Sequence, residues 1–437
     1  MEWWLILLII FGTLVILMAV GMHIAFCFML INVVGVYLLF NGAAGLEQLI
    51  LSLYSSLATF ILEPIPLFIF MGELLFVSGM GTDVIDAVSK WMGRLPGRLA
   101  LLAVASGTLL GAVSGVSVAS VAILGSSLVP EMEKRGYKRA MSIGPILGSG
   151  GLDVLIPPSA LAVFLAAIAE ISIGKYLIAI IVPGLLLAGI YAAYIIIRCS
   201  LQPSLAPAYE VPPTPLSQRL VTSVRVLLPV GFIVFPVIGV IILGIATPSE
   251  AAATGCLGVL IMAFFQKRLN MEVLKKSVKG TLMTTGMIFL IIAGARAFSQ
   301  ILSFTGSSQG MSQFAIGLKV DPMLIVVAMQ VVFLILGCFI TPDAIIMLTI
   351  PIFMPIIRAF GFDGVWFGTL ALINLEMGLI TPPFGLSLFV MKGVAPPDTT
   401  MSDIIRASLP FVFLQFIALG LITAFPSIAL WLPGLMQ

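Results

Sequence analysis

Apolar residues in this chain gather into long runs, with little of the polar-face periodicity of a water-soluble helix. A helix that crosses a bilayer needs roughly 20 apolar residues. Runs of that length or nearly so occupy 3 to 21, 22 to 41, 64 to 79, 176 to 198, 226 to 245, 247 to 265, 282 to 302 and 404 to 430. Two further apolar stretches, 96 to 168 and 322 to 393, are interrupted by Gly, Ser, Thr and Pro at GAVSGVSVAS, GLDVLIPPS, GCFITPDA and GLITPPFG. Such residues break or loosen a helix. The pattern therefore predicts two re-entrant hairpins, at about 96–130 and 322–356, and two broken helices, at about 138–168 and 363–393. The partly apolar stretches 45 to 60 and 270 to 281 read as helices lying along the interface. Residues 200 to 219, SLQPSLAPAYEVPPTPLSQR, are too polar and Pro-rich to span and form a loop near the middle of the chain.

Sliding one half over the other brings landmarks into register. Pro96 and Gly111 match Pro322 and Gly337 at an offset of 226, Pro130 matches Pro355, and Pro157–Pro158 match Pro382–Pro383 at 225. Gly21 and Gly35 match Gly244 and Gly258 at 223. A double proline and further landmarks in register point to an internal duplication. The expected organisation is a first repeat at 1–199, a cytoplasmic linker at 200–225 and a second repeat at 226–437.

Composition narrows the function. Of 437 residues, 60% are hydrophobic and only 9% charged, which excludes an ordinary soluble domain. A net charge of +2 leaves no basic surface for nucleic acid, and a single histidine leaves no transition-metal cluster. Cys27, Cys199, Cys256 and Cys338 lie in or beside apolar runs without paired spacing, and read as core residues. The N-terminal MEWWLILLIIFGTLVILMAV has no basic n-region or cleavage site, so it reads as a retained span. His23, at a turn between spans, reads as structural.

Basic residues stay on the cytoplasmic side of a membrane. The connections carrying Lys90, Arg94 and Arg98, and Lys134, Arg135, Lys138 and Arg139, are accordingly expected inside. Their counterparts at 316 to 322 and 356 to 364 hold only Lys319 and Arg358 and are expected outside. Threading the remaining spans from these anchors leaves all of the 21 Lys and Arg inside except Lys175, Lys319 and Arg358 outside and Arg296 within a span. Matching segments then enter from opposite faces, so the repeats are inverted. The predicted class is an all-α polytopic membrane protein with inverted repeats, two hairpins and two broken helices, the architecture of secondary transporters.

A broken helix inside a bilayer strands backbone N–H and C=O groups at several kcal/mol each unless they find partners. The tip Ser114-Gly115-Val116-Ser117 and the break from Gly150 to Ser159 offer hydroxyls and freed carbonyls suited to one Na⁺. The tip from Gly337 to Asp343, with Thr341, and the break from Gly378 to Pro383, with Thr381, repeat the arrangement for a second. Close helix packing at small residues is the plainer alternative. Ionisable groups in apolar segments are functional candidates. Arg296, alone in LIIAGARAFSQ, is suited either to a substrate carboxylate or to a structural pair with Glu73 or Glu250. Asp153 and Asp343 stand where a carboxylate aids cation or substrate binding or caps a half-helix. Glu250, after Pro248, reads as N-terminal dipole stabilisation, and Glu376 precedes a break.

The strings GAVSGVSVASVAILG, VPEMEKRGY, LIPPS, ATPSEAAATG and NLEMGLITPPFGLSLFV resemble the large membrane subunit, DctM type, of tripartite ATP-independent periplasmic (TRAP) transporters. The resemblance implies an elevator-type, Na⁺-coupled importer of organic acids in a bacterial inner membrane. It also implies a separate small four-helix membrane subunit and a periplasmic substrate-binding protein as partners, with no cofactor beyond the coupling Na⁺. On this resemblance Ser114, Ser117 and the carbonyls around Gly151 and Pro157 look like one ion site, and Gly337, Thr341, Gly378 and Thr381 like the other. Two positions depart from the family pattern: Thr341 stands where an acid is common, with Asp343 two residues on, and Asp153 replaces a small or apolar residue. A stand-alone divalent-anion symporter is the rival within transport. An intramembrane hydrolase lacks a histidine at any break, and no G-x-x-x-x-G-K-[ST] loop supports direct use of ATP. A passive channel is a third alternative, excluded by accumulation of solute against its gradient.

Overall fold

A computed structural model describes residues 2–22, 24–40, 42–93, 95–114, 117–157, 159–207, 209 and 215–436. His23, Gly115, Val116 and Pro158 lie outside the described residues, as do the side chains of Ser114 and Ser117. The described chain is helical, without strands. Mean hydropathy is +1.21, so the helices need no polar stripe, and neighbours are chosen by close packing and polar contacts between helices.

The first half runs α1 (Trp3–Ala19), α2 (Ile24–Leu39), α3 (Ala43–Leu57), α4 (Pro64–Val77) and α5 (Met80–Trp91). The hairpin α6 (Arg98–Ser114) and α7 (Ser117–Lys134) follows. A broken helix comes next, as α8 (Arg139–Ser142), α9 (Gly144–Gly150), α10 (Leu152–Leu155) and α11 (Ala160–Ala169), the part before the break bent by 51° from α11. Then come α12 (Ile173–Ala179) and α13 (Ile181–Leu201). The central segment is less irregular than its composition predicts, holding a short 3₁₀ turn, Pro203–Leu205, and α14 (Leu216–Thr222), which leads into a π turn.

In the second half α15 (Leu228–Ile242) and α16 (Pro248–Phe265) precede the 34-residue α17 (Met271–Phe304) and α18 (Ser307–Gly317). A second hairpin, α19 (Pro322–Gly337) and α20 (Pro342–Ala359), leads to a second broken helix, α21 (Gly364–Leu379) and α22 (Leu386–Val394). The chain closes with α23 (Met401–Ala424) and α24 (Ser427–Leu430). Each half thus holds a hairpin followed by a broken helix, with one difference from expectation. Residues 270 to 281 do not lie apart from the next span but continue into it as α17. The reason is proline. Pro64 and Pro66 and a 3₁₀ turn at Phe60–Leu62 separate α3 from α4, whereas no proline falls within Met271–Phe304.

Among the described residues five helices are long and apolar enough to cross a membrane, the bent pair of Arg139–Leu155 with α11 adds a sixth candidate, and several apolar helices are shorter. Buried polar bonds fix neighbours. Asn32 Nδ2 donates to Gly294 O at 2.7 Å, joining α2 to α17. Asn374 Nδ2 donates to Gln330 O at 2.7 Å, joining α21 to α19. Tyr176 Oη donates to Gly368 O at 2.7 Å, joining α12 to α21.

Candidate functional site

The two hairpins pack on the two broken helices by backbone contact. On α6, a Cβ at Gly107 would lie 2.6 Å from Ser149 Cβ, and one at Gly111 would lie 2.4 Å from Asp153 Cα. On α19, a Cβ at Gly337 would lie 2.8 Å from Gly378 Cα, and one at Gly378 would lie 3.1 Å from Gly337 O. Real Cβ atoms do not approach backbone so closely, so the chain meets itself only because these positions are glycine. A close crossing is therefore present in each half, on Asp153 in the first and on Gly378 in the second, two positions 225 residues apart as the expected duplication requires.

Of the residues expected at the second site, Gly337 and Gly378 touch. Thr381 lies one turn beyond, its hydroxyl bonded to Met377 O at 2.6 Å. Thr341 is the exposed N-cap of α20, without a side-chain capping bond. The tip meets the break through Phe339 and Phe384, whose ring centroids are 5.8 Å apart. The break also folds tightly on itself, since a Cβ at Gly385 would lie 2.5 Å from Leu379 O. Asp343 sits in the first turn of α20, where its charge complements the helix dipole.

At the first site the tip hydroxyls of Ser114 and Ser117 lie outside the described residues. Gly151 joins α9 to α10 and faces the other half, where a Cβ would meet Gln415 Nε2 at 3.2 Å and Glu376 Cβ at 3.4 Å. Pro157 closes the described part of the break. Asp153 is fully buried. The Ser120 hydroxyl faces its carboxyl group. Glu376, nearly fully buried on α21, lies within electrostatic reach of Asp153 and of Tyr191 on α13. Tyr191 and Gln415 were not singled out from sequence. A lone Gln within LPFVFLQFIALG is the signal that could have found the second.

Arg296 makes no ion pair with either acid weighed against it. Glu250 closes a capping box, accepting from Thr247 N at 2.7 Å and Thr247 Oγ1 at 2.9 Å, which is the dipole role expected for it. The carboxyl of Glu73 instead covers Gly280, where a Cβ would lie 2.7 Å from its carboxyl carbon. Among the described residues no carboxylate lies within ion-pair distance of Arg296, and its Nε is buried without a partner. Arg296 and Glu170 line three adjoining cavities, of about 970, 60 and 780 Å³. Glu170 ends α11 in the left-handed region at φ 53°. The Arg358 side chain holds that end, its Nη2 donating to Ala169 O at 2.8 Å.

On the side of α8, Arg139 donates to Asp403 Oδ2 at 2.6 Å and also pairs with Asp398. This ties the start of the first broken helix to the start of α23 and to the connection that precedes it. Among the described residues no group of three or more His, Cys, Asp or Glu is arranged to hold a metal.

Similarity to known proteins agrees with this architecture. Residues 11–428 match the family model for the tripartite ATP-independent periplasmic transporter, DctM component. The C4-dicarboxylate TRAP transporter large permease protein DctM of Pseudomonas aeruginosa is 33% identical over 393 residues, covering 89% of this chain and 90% of that one. The ectoine TRAP transporter large permease protein TeaC of Halomonas elongata is 32% identical, covering 92% and 93%. A crystal structure of the Alcanivorax borkumensis YdaH transporter superposes with a TM-score of 0.62 at 14% identity, covering 89% of each chain, a likeness of fold. With paired hairpins, paired breaks and a family match from the first helix to the last, the chain belongs to the DctM component family of tripartite ATP-independent periplasmic transporters.

Proposed function

We propose that this membrane permease imports a small organic acid down an inward Na⁺ gradient. A unit built from the two hairpins and two broken helices, α6–α11 and α19–α22, moves against the remaining helices as an elevator. The permease works with a small four-helix membrane subunit, and a periplasmic binding protein delivers the acid. The repeats are inverted, with 131–139 cytoplasmic and 356–364 periplasmic.

The observation that carries this reading is the doubled crossing, Gly111 on Asp153 and Gly337 on Gly378. Each crossing brings the end of a hairpin arm against the end of a half-helix, where carbonyls freed from the helix ladder are available to a small hard cation. Ser114, Ser117, Gly151 and Pro157 supply oxygens at one crossing, and Gly337, Thr341, Gly378 and Thr381 at the other. The names of the relatives, C4-dicarboxylate and ectoine permeases, support a small polar acid as cargo.

The test is uptake into proteoliposomes holding the permease and its partner subunits, comparing inward Na⁺ with inward K⁺. Accumulation that needs Na⁺ and the binding protein is expected. Equal uptake under K⁺ would overturn the coupling, and full activity without the binding protein would favour the stand-alone symporter.

A further inference from the structure

Arg296 and a cavity between α3 and α17 identify a second recognition site, lined by none of the residues of the two crossings. The cavity of about 970 Å³ lies between α3 and α17, with the C-terminus of α11 at its edge. Its volume suits a small organic solute. Its lining is rich in neutral polar groups. Gln48, Ser52, Ser299, Gln300 and Ser303 present neutral hydrogen-bonding groups around one guanidinium. Two of its polar atoms are buried and unpartnered: Arg296 Nε and the Oγ of Ser52, a residue only 7% exposed. Orphaned donors of this kind cost free energy in the folded protein unless something fills them. A carboxylate is the acceptor that matches a guanidinium in shape and charge.

The same wall argues against a second negative charge on the occupant. Glu170 stands beside Arg296 in all three cavities. The other nearby cation, Arg358, has its guanidinium engaged at the end of α11. The space it shares with Arg296 is about 60 Å³, room for a water molecule or two and not for an organic acid. One cation, one opposing carboxylate and a ring of hydroxyls and amides suit an acid with a single carboxylate and several neutral hydrogen-bonding groups.

We infer that this cavity is a loading site for a hydroxylated monocarboxylate, held by Arg296 through its carboxylate and by the serines and glutamines through its hydroxyls. The inference rests on the proposed import of an organic acid and names where and in what form that acid is first held. Recognition here precedes transfer to the crossings, because α3 and α17 lie outside the moving unit.

Binding to the purified permease tests the site without partners or gradients. Glucuronate serves as the hydroxylated monocarboxylate and succinate as the dicarboxylate, each titrated against thermal unfolding in detergent. Glucuronate is expected to raise the melting temperature of the wild-type chain more than succinate does. Arg296→Gln should weaken glucuronate binding by about tenfold or more, the worth of a charge-assisted hydrogen bond, with Arg296→Lys intermediate. A Leu51→Cys chain with Arg296 intact gives an independent reading, because Leu51 lines the cavity without a hydrogen-bonding group and glucuronate should protect the new thiol from a maleimide. Tighter binding of succinate, unchanged glucuronate affinity in Arg296→Gln, absence of thiol protection or absence of binding by either acid would overturn the site. None of these results bears on Na⁺ coupling, which the gradient comparison decides separately.

Discussion

At the residue scale the crossings depend on glycine. Gly337→Ala would set a methyl group 2.8 Å from the backbone of Gly378, and relief requires the two helices to separate. Overpacking of this kind costs about 1–3 kcal/mol. A fall in the melting temperature of the detergent-solubilised protein, together with loss of uptake, is expected. Gly361→Ala provides the contrast, since a Cβ there meets nothing within 4 Å and only its φ of 76° opposes it. The hydroxyls proposed to couple Na⁺ are tested apart from packing: Ser117→Ala or Thr381→Ala should raise the Na⁺ concentration giving half-maximal uptake. Unchanged Na⁺ titrations in both would remove those residues from the ion sites. Glycine and proline made the breaks legible in the sequence, because few other residues interrupt a helix in a bilayer. The cluster of Asp153, Glu376, Tyr191 and Gln415 was legible only in part. Its members come from four separate helices, and only the fold tells that α10, α13, α21 and α23 converge.

At the element scale, helices with little polar patterning are registered by a few buried polar bonds. Asn374 ties α21 to α19 through both the backbone and side-chain oxygens of Gln330, at 2.7 and 3.1 Å. Asn374→Leu should destabilise the second hairpin against its broken helix by about 0.6–2 kcal/mol, the range for such bonds between membrane helices, read as a lower melting temperature. The capping box of α16 is a second device, worth about 1 kcal/mol. Thr247→Ala should lower stability by that amount and leave Na⁺ dependence unchanged. Sequence placed the start of α16 well, since Glu250 just after Pro248 is a local signal. It separated 270–281 from the following span because charge falls off near 280, yet backbone continuity is set by the absence of a breaker and not by polarity. The wall of the large cavity was hidden for a related reason. Its serines and glutamines are scattered between α3 and α17, and each alone looks like an ordinary interfacial residue.

At the scale of the whole molecule, each half holds a hairpin and a broken helix, and the proposed function follows if the halves are copies that face opposite ways. Two copies facing the same way would set both tips toward one side of the membrane. Opposed copies bring both crossings to the midplane, where an ion bound at either is reachable from one side at a time. The Arg139 pairs with Asp398 and Asp403 join the start of the first broken helix to the α22–α23 connection and the first turn of α23, a link between the proposed moving unit and a helix outside it. Arg139→Ala should therefore change the rate of uptake with little change in Na⁺ affinity, measured from initial rates across a Na⁺ series.

Lys134 and Ala359 are repeat equivalents near the ends of α7 and α20, both exposed, while the four native cysteines are buried. The direct test is the sidedness of Lys134→Cys and Ala359→Cys toward a membrane-impermeant maleimide in intact cells. Labelling of the thiol at 359 from outside, with that at 134 reached only after the membrane is opened, is the expected result. Labelling of both from the same side would contradict opposed repeats and the carrier built on them.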